Sequence, residues 1–416
     1  MRHFSTRIFL LPALAGVLLA SCQKEMGSAP EENTPNLRSL TSAERQTVSG
    51  ANDFAYRAFG ALRQAKPGDN LCISPLSIAA ALTMACNGAD GTTKEAMKQT
   101  LGVAGQTDAE VNESFQGLFS LFKGLDKRVA FSTANSVWYA KNYQLQAPFV
   151  QTNQTYFGAT VQPVDFSSPS AKDAINNWVV TNTQGRIQSI LDNTSEDDRL
   201  YLLNAIYFKG AWTYRFDQAL SKPEAFHYED GSTKNVSFMT LRQGRYRLHQ
   251  EARLGVIDLP YGNRQFSMTL VVPQGTATLG EVASQLSSGQ LAKWLAASDT
   301  IGTELHLPKF RLEYKKELKE CLAQLGMGIA FDDMRANFSR MLEGSSKGLA
   351  ISEVKHKTYL EVSEEGTEAA AVTAVGMTLT TSAGPPPALR IDRPFLFLIR
   401  EKATNTILFV GQLTNP

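Results

Sequence analysis

The sequence predicts one α+β domain built on largely antiparallel sheets, and three observations lead there. Helical patterns fill the first part of the chain and strand-like runs dominate the later part. They do not alternate in the βαβ manner that a parallel sheet requires. At 416 residues the chain can bury one large core, and no internal repeat or linker after residue 45 divides it.

The first element is a targeting segment. Arg2 and Arg7 precede an apolar run, Ile8 to Leu19, that is too short to span a bilayer as a stable helix. The "LASC" that follows, Leu19 to Cys22, resembles the bacterial lipoprotein box. That resemblance implies a signal peptide over residues 1–21 and lipidation, palmitate-like, at Cys22. The alternative is an ordinary secretory signal with a chance cysteine. Residues 22–45 contain "QKEMGSAPEENTPN", polar and rich in Pro, Gly and Ser, and are expected to be a flexible tether. The "QKE" is loosely similar to the surface-export signal of Bacteroidota lipoproteins. The expected location is therefore the bacterial cell envelope, on the outer membrane and exposed at the surface. The folded domain is then 46–416.

In that domain Glu44 to Ala65 opens the fold as an amphipathic helix, with Phe54, Ala55, Ala58, Phe59 and Leu62 at helical spacing. "SPLSIAAALTM" predicts a second helix, with Ser74 as N-cap and Pro75 at the first helical position. Helical signals continue through Thr92 to Leu101 and Ala109 to Leu125. Strand runs follow at Val129–Tyr139, Leu200–Trp212, Gly255–Tyr261, Phe266–Pro273 and Thr303–Tyr314, rich in β-branched and aromatic residues. Lys316 to Gly326 predicts a helix stopped by its glycine. Two apolar strands, "PFLFLI" and "TILFVGQL", close the chain.

Composition excludes several classes. Lys plus Arg is 41 and Asp plus Glu is 40, a net charge of +1, so nucleic acid is not an expected partner. The five histidines show no metal-ligand spacing, and no metal or cofactor is expected. There is no HExxH, GxSxG, Walker loop or CxxC pair, so the chain does not read as an enzyme. With Cys22 lipidated, Cys72, Cys86 and Cys321 are expected to be buried apolar residues.

One stretch differs from the rest: "EEGTEAAAVTAVGMTLTTSAGPPP", Glu364 to Pro387. Beyond Glu368 it carries no charge. As a strand it would place Thr367, Ala369, Ala371, Thr373, Val375, Met377 and Leu379 on one face, uncharged throughout. It could enter a sheet without burying an unpaired charge. Yet Gly366 permits a sharp turn and three prolines forbid regular pairing at the far end. The expectation is a strand kept out of its sheet.

Here the chain resembles the serpin family. "VSEEGTEAAAVTA" is similar to the serpin hinge. "NLCISPLSIAAALTM", "INNWVVTNTQGRIQSIL", "LNAIYFKGAW", "ELHLPKFRLEY", "AISEVKHKTYLEV", "DRPFLFLI" and "ILFVGQL" match family motifs in family order from about residue 46 to Pro416. The resemblance implies helices packed on three largely antiparallel sheets with an exposed reactive loop. It implies a suicide-substrate inhibitor of serine peptidases, with cysteine peptidases as a second class, acting by loop cleavage, acyl trapping and loop insertion. The other reading is a non-inhibitory surface lipoprotein that binds or scaffolds. It implies a hinge of Glu364, Gly366, Thr367, Glu368, Ala369, Ala370 and Ala371. Counting along it places the reactive bond at Thr380–Thr381, with Leu379 and Met377 as alternatives. Small or apolar residues there point to elastase-, chymotrypsin- or subtilisin-like targets. The absence of Arg or Lys after Lys357 and before Leu389 disfavours trypsin-like ones. Ser74, Ser77, Asn204 and His356 match the family's shutter beneath the main sheet. Trp212, Lys309 and Glu364 match the breach, where the loop first enters. A monomer is expected.

Overall fold

Amphipathic spacing sets the first helix: Phe54, Ala55, Ala58, Phe59 and Leu62 are all buried on α1 (Ser42–Ala65), and Thr41 with Glu44 forms a capping box at its start. The computed structural model describes residues 1, 37–242, 244–344, 348–367 and 388–416, and every described element lies in the unit Thr34–Pro416. Along the chain follow β1 (Leu71–Ile73), α2 (Pro75–Gly88), α3 (Gly91–Thr100), α4 (Asp108–Gly124), β2 (Val129–Ala140), α5 (Ala147–Phe157), β3 (Thr160–Val164) and α6 (Pro169–Asn182). Then come β4 (Leu200–Ala211), β5 (Asp217–His227), β6 (Thr233–Leu241), β7 (Tyr246–Gln250), β8 (Leu254–Tyr261), β9 (Phe266–Pro273), α7 (Leu279–Ser284) and α8 (Ser288–Ala296). The last part holds β10 (Asp299–Ile301), β11 (Leu305–Pro308), β12 (Phe310–Glu317), α9 (Lys319–Leu322), β13 (Lys355–Ser363), β14 (Gly366–Thr367), β15 (Leu389–Arg390), β16 (Phe395–Glu401) and β17 (Ile407–Leu413).

These strands form three sheets. The main sheet has the order β12-β13-β14-β4-β2-β3, the second β1-β17-β16-β9-β8-β7-β10, and the third β15-β11-β6-β5. Among the described ladders, β2–β3 and β11–β15 are parallel and the others antiparallel. Helix α2 is buried almost all round and lies beneath the main sheet, where Ser77 meets Asn204 of β4. Strands β9, β16 and β17 are buried at every position, which explains their unbroken apolar runs. Cys72, Cys86 and Cys321 are free and buried.

Two predicted elements come out differently. The run Thr303–Tyr314 is not one strand. It breaks at Pro308–Lys309, so that β11 joins the third sheet and β12 the main one. Both halves carry strand-type residues, and only the change of sheet distinguishes them. The helix over Lys316–Gly326 shrinks to α9, followed by a π-turn over Ala323–Met327, with Gly326 at φ 114°. The glycine still ends the helix, but the last turn is widened rather than regular.

The second sheet holds a buried ion pair. Arg400 of β16 lies 3.0 Å from Asp258 of β8, with side chains 3% and 2% exposed. Thr269 donates to the carboxylate at 2.6 Å and accepts from Arg400 Nε at 3.0 Å. Burial pushes the Asp258 carboxyl up, yet Arg400 and the Thr269 hydroxyl hold it below the usual range. Removing one partner strands the other charge. Asp258→Ala should cost about 3–5 kcal/mol in urea unfolding, whereas the double change Asp258→Leu with Arg400→Met should cost clearly less. Equal losses for the two variants would count against the pair being the source of the cost.

Candidate functional site

The turn after β13 sets the site. Two residues, Glu364 and Glu365, reverse the chain, and Gly366–Thr367 then runs back as β14. β14 is antiparallel to both neighbours. Val362 pairs with Thr367 and Ser363 with Gly366 on one side, Ala211 with Gly366 and Gly210 with Thr367 on the other. The hinge is therefore not wholly outside the sheet, as the sequence led us to expect. Gly366 and Thr367 already sit between β13 and β4. Among the described residues no ladder joins β4 to β13 directly; β14 alone connects them.

Glycine is required at this entry. Gly366 has φ 150°, and a Cβ there would lie 2.0 Å from the Gly210 carbonyl oxygen. Thr367 is 1% exposed, and its hydroxyl lies 2.6 Å from that of Tyr261. Tyr261 is fully buried and stacks on Trp212, ring centroids 4.4 Å apart at 9°. Burial pushes the Tyr261 phenol up, so it stays neutral and shares a hydrogen bond with Thr367. Trp212 in turn donates from Nε1 to the Ser363 carbonyl at 2.9 Å and from its backbone N–H to the Glu365 carbonyl at 3.0 Å.

Glu364 closes the top. Its carboxylate lies 3.0 Å from Lys309 Nζ and accepts from the Ser221 hydroxyl at 2.6 Å. Burial raises the Glu364 carboxyl, but Ser221 and Lys309 together hold it below the ordinary range. Lys309 occupies the point where the chain passes from β11 of the third sheet to β12 of the main sheet. All three residues assigned to the breach thus meet around one turn.

The residues assigned to the shutter lie lower and form two groups. On the β13 side, the Ser74 backbone N–H donates to His356 Nε2 at 3.1 Å, which puts the imidazole proton on Nδ1. Burial pushes the His356 pKa down to about 3, so the ring is neutral. On the β4 side, Ser77 donates to Asn204, Asn204 to Asn135, and Asn135 to the Phe157 carbonyl at 2.8 Å. Among the described residues no hydrogen bond links the two groups. The Ser74 hydroxyl is buried without a partner and does not cap α2, although the residue stands at the N-cap.

The other assigned positions, Glu368, Ala369, Ala370, Ala371, Met377, Leu379, Thr380, Thr381 and Cys22, lie outside the described residues. Sequence reasoning missed Tyr261, Ser221 and Asn135. Tyr261 ends a strand where an aromatic is ordinary core, and nothing local marks the other two.

Known proteins bear on this arrangement. Residues 49–416 match the family model described as serpin (serine protease inhibitor). Human Serpin B11 is 34% identical over 396 residues, covering 89% of this chain and 100% of that protein. The leukocyte elastase inhibitor of Sus scrofa is 33% identical over 383 residues, covering 89% and 100%. The solved structure of human thyroxine-binding globulin superposes with a TM-score of 0.82 at 28% identity, covering 90% and 100%.

The contact between Glu364 and Lys309 yields a prediction. Glu364→Lys would set two cations together at the turn and loosen β14. Polymerisation on mild heating, followed by size-exclusion chromatography, should rise several-fold. A variant as monomeric as the wild type would refute a role for this pair in holding the entry.

Proposed function

Since the chain belongs to the serpin family, we propose that it is a suicide-substrate inhibitor of serine peptidases, with elastase-, chymotrypsin- or subtilisin-like enzymes as targets and cysteine peptidases as a second class. The peptidase attacks the bond at Thr380–Thr381, or at Leu379 or Met377, and becomes acylated through its own nucleophile. The freed hinge then enters the main sheet as a strand and displaces the enzyme before deacylation. The observation that carries this reading is β14, a two-residue start of such a strand, already in register with both neighbours.

Continuing that register gives the inserted form. Six residues beyond Thr367, Thr373 would stand opposite His356 on β13 and Asn204 on β4, with its side chain on the same face as Thr367. A hydroxyl would then arrive between the two groups of the shutter, near the unpartnered Ser74. Each further pair of backbone hydrogen bonds adds about 1 kcal/mol net per bond, with apolar burial besides. Over a dozen residues this can exceed the stability of an ordinary domain.

A second reading, a serpin fold retained for binding or scaffolding, is favoured by the likeness to thyroxine-binding globulin. The hinge supports inhibition instead, because no charge, proline or bulky residue interrupts Ala369 to Ala371. We place the protein in the bacterial cell envelope as a lipid-anchored monomer on the outer membrane, surface-exposed, held through Cys22 and the tether between it and α1. The "LASC" and "QKE" stretches support that placement.

Two experiments test these points. Mixed with elastase, chymotrypsin or subtilisin, the wild type should give an SDS-stable band at the summed mass. Thr373→Arg, on the Thr367 face but beyond β14, should be cut at the same bond with little stable complex and a greatly raised stoichiometry of inhibition, because insertion would force a cation beneath the sheet at a cost of several kcal/mol. If Thr373→Arg traps its peptidase as efficiently as the wild type, the insertion mechanism is wrong. For the anchor, the wild type should take up radioactive fatty acid and Cys22→Ser should not; an unlabelled wild type would refute lipidation.

A further inference from the structure

The ladder between β9 and β16 ends for a reason written in the sequence. Its register pairs Val271 with Leu396, so Pro273 and Pro394 come opposite each other two residues further on. Neither has an N–H, so neither can donate a ladder hydrogen bond, and the pairing stops there. Both prolines are buried. They line a cleft of about 210 Å³, to which the β5–β6 turn and the link between β15 and β16 also contribute. The His227 N–H donates to the Asp392 carbonyl at 2.7 Å and ties that turn to that link.

Two charges of opposite sign line the cleft without meeting. Arg393 keeps its Nε on Asp392 at 3.2 Å, and among the described residues no hydrogen bond reaches its terminal nitrogens. Glu229 uses one oxygen, Oε1, to accept from the Leu279 N–H at 2.7 Å. Its second oxygen has no hydrogen bond among the described residues. Arg63 is close enough to feel that charge, but it donates from Nε to Gln412 at 2.9 Å instead. Among the described ion pairs none joins Arg393 to Glu229. Tyr228 adds an apolar surface that is fixed at both ends. Its ring packs edge-on against Phe226 with centroids 5.3 Å apart, and its hydroxyl donates to Asn415 at 3.1 Å.

This pattern selects a ligand. A phosphate or a dicarboxylate would meet Glu229, and a polyamine would meet Arg393. A molecule with one charge of each sign suits both, because the guanidinium takes a carboxylate and the free oxygen of Glu229 takes an ammonium. Pockets for drug-sized molecules start at about 300 Å³, so this cleft suits something smaller. Tyr228 and the two prolines offer apolar contact to the body of the ligand. We propose that the cleft is a binding site for a small zwitterion, an α-amino acid with an apolar or aromatic side chain. The site is separate from the hinge and stands whether or not the chain inhibits a peptidase.

The test titrates the full chain with L-phenylalanine by calorimetry, and saturable binding of one molecule is expected. N-acetyl-L-phenylalanine lacks the ammonium and L-phenylalaninamide lacks the carboxylate; each should bind at least tenfold more weakly. Arg393→Gln should weaken L-phenylalanine at least tenfold. Glu229→Gln, whose amide oxygen can still accept from the Leu279 N–H, should do the same, with a melting curve like that of the wild type. No binding of L-phenylalanine to the wild type would overturn the proposal. So would equal affinity for the two blocked analogues, or unchanged affinity in both variants. If a variant melts early, the comparison of the three ligands on the wild type decides alone.

Discussion

The contact between Thr367 and Tyr261 is the constraint on which the main sheet depends. A single hydroxyl–hydroxyl hydrogen bond, 2.6 Å long and buried, holds the first inward-facing residue of the hinge between β4 and β13. The aromatic stack of Tyr261 on Trp212 fixes where that hydroxyl points, and the Trp212 indole holds the turn that delivers Thr367. Sheet, turn and hinge are thus oriented by one another. Loosening any one of the three removes the support of the other two, because buried polar groups without partners are expensive.

This makes the opening between β4 and β13 a wedge. At its top the strands are bridged through β14; lower down, the hydrogen bonds of the two shutter groups run separately. On the β4 side the amide and hydroxyl groups form a closed run to the Phe157 carbonyl, while on the β13 side a neutral histidine accepts from the backbone of the segment leading into α2. Among the described residues no ladder ties these two strands to each other below β14, so a further strand can enter there without first breaking one. That is a requirement for admitting another strand without unfolding the domain.

Much of this was legible in the sequence. The helical spacing of α1 and the continuous apolar runs of β9, β16 and β17 are patterns of period and composition, and such patterns survive folding. Position within the assembly left no such trace. Alternation shows which side chains of the hinge face inward but not how far it has entered. The strand-like run through Pro308 and Lys309 gave no sign that it changes sheets. Ser221 and Glu364 stand 143 residues apart, and nothing local joins them. Contacts made across the fold by unremarkable residues are where sequence reasoning stops.

The three buried cysteines carry a consequence of a different kind. Three is an odd number, so any disulfide among them would leave one thiol over. Burial pushes Cys72 up to about 12 and Cys86 and Cys321 each up to about 11, which leaves almost no thiolate near neutral pH. These three thiols are therefore shielded from oxidants and thiol exchange, and among the described residues no cross-link ties the fold. The domain keeps the freedom to move strands past one another that disulfides would remove, and its redox inertness lasts as long as its packing does.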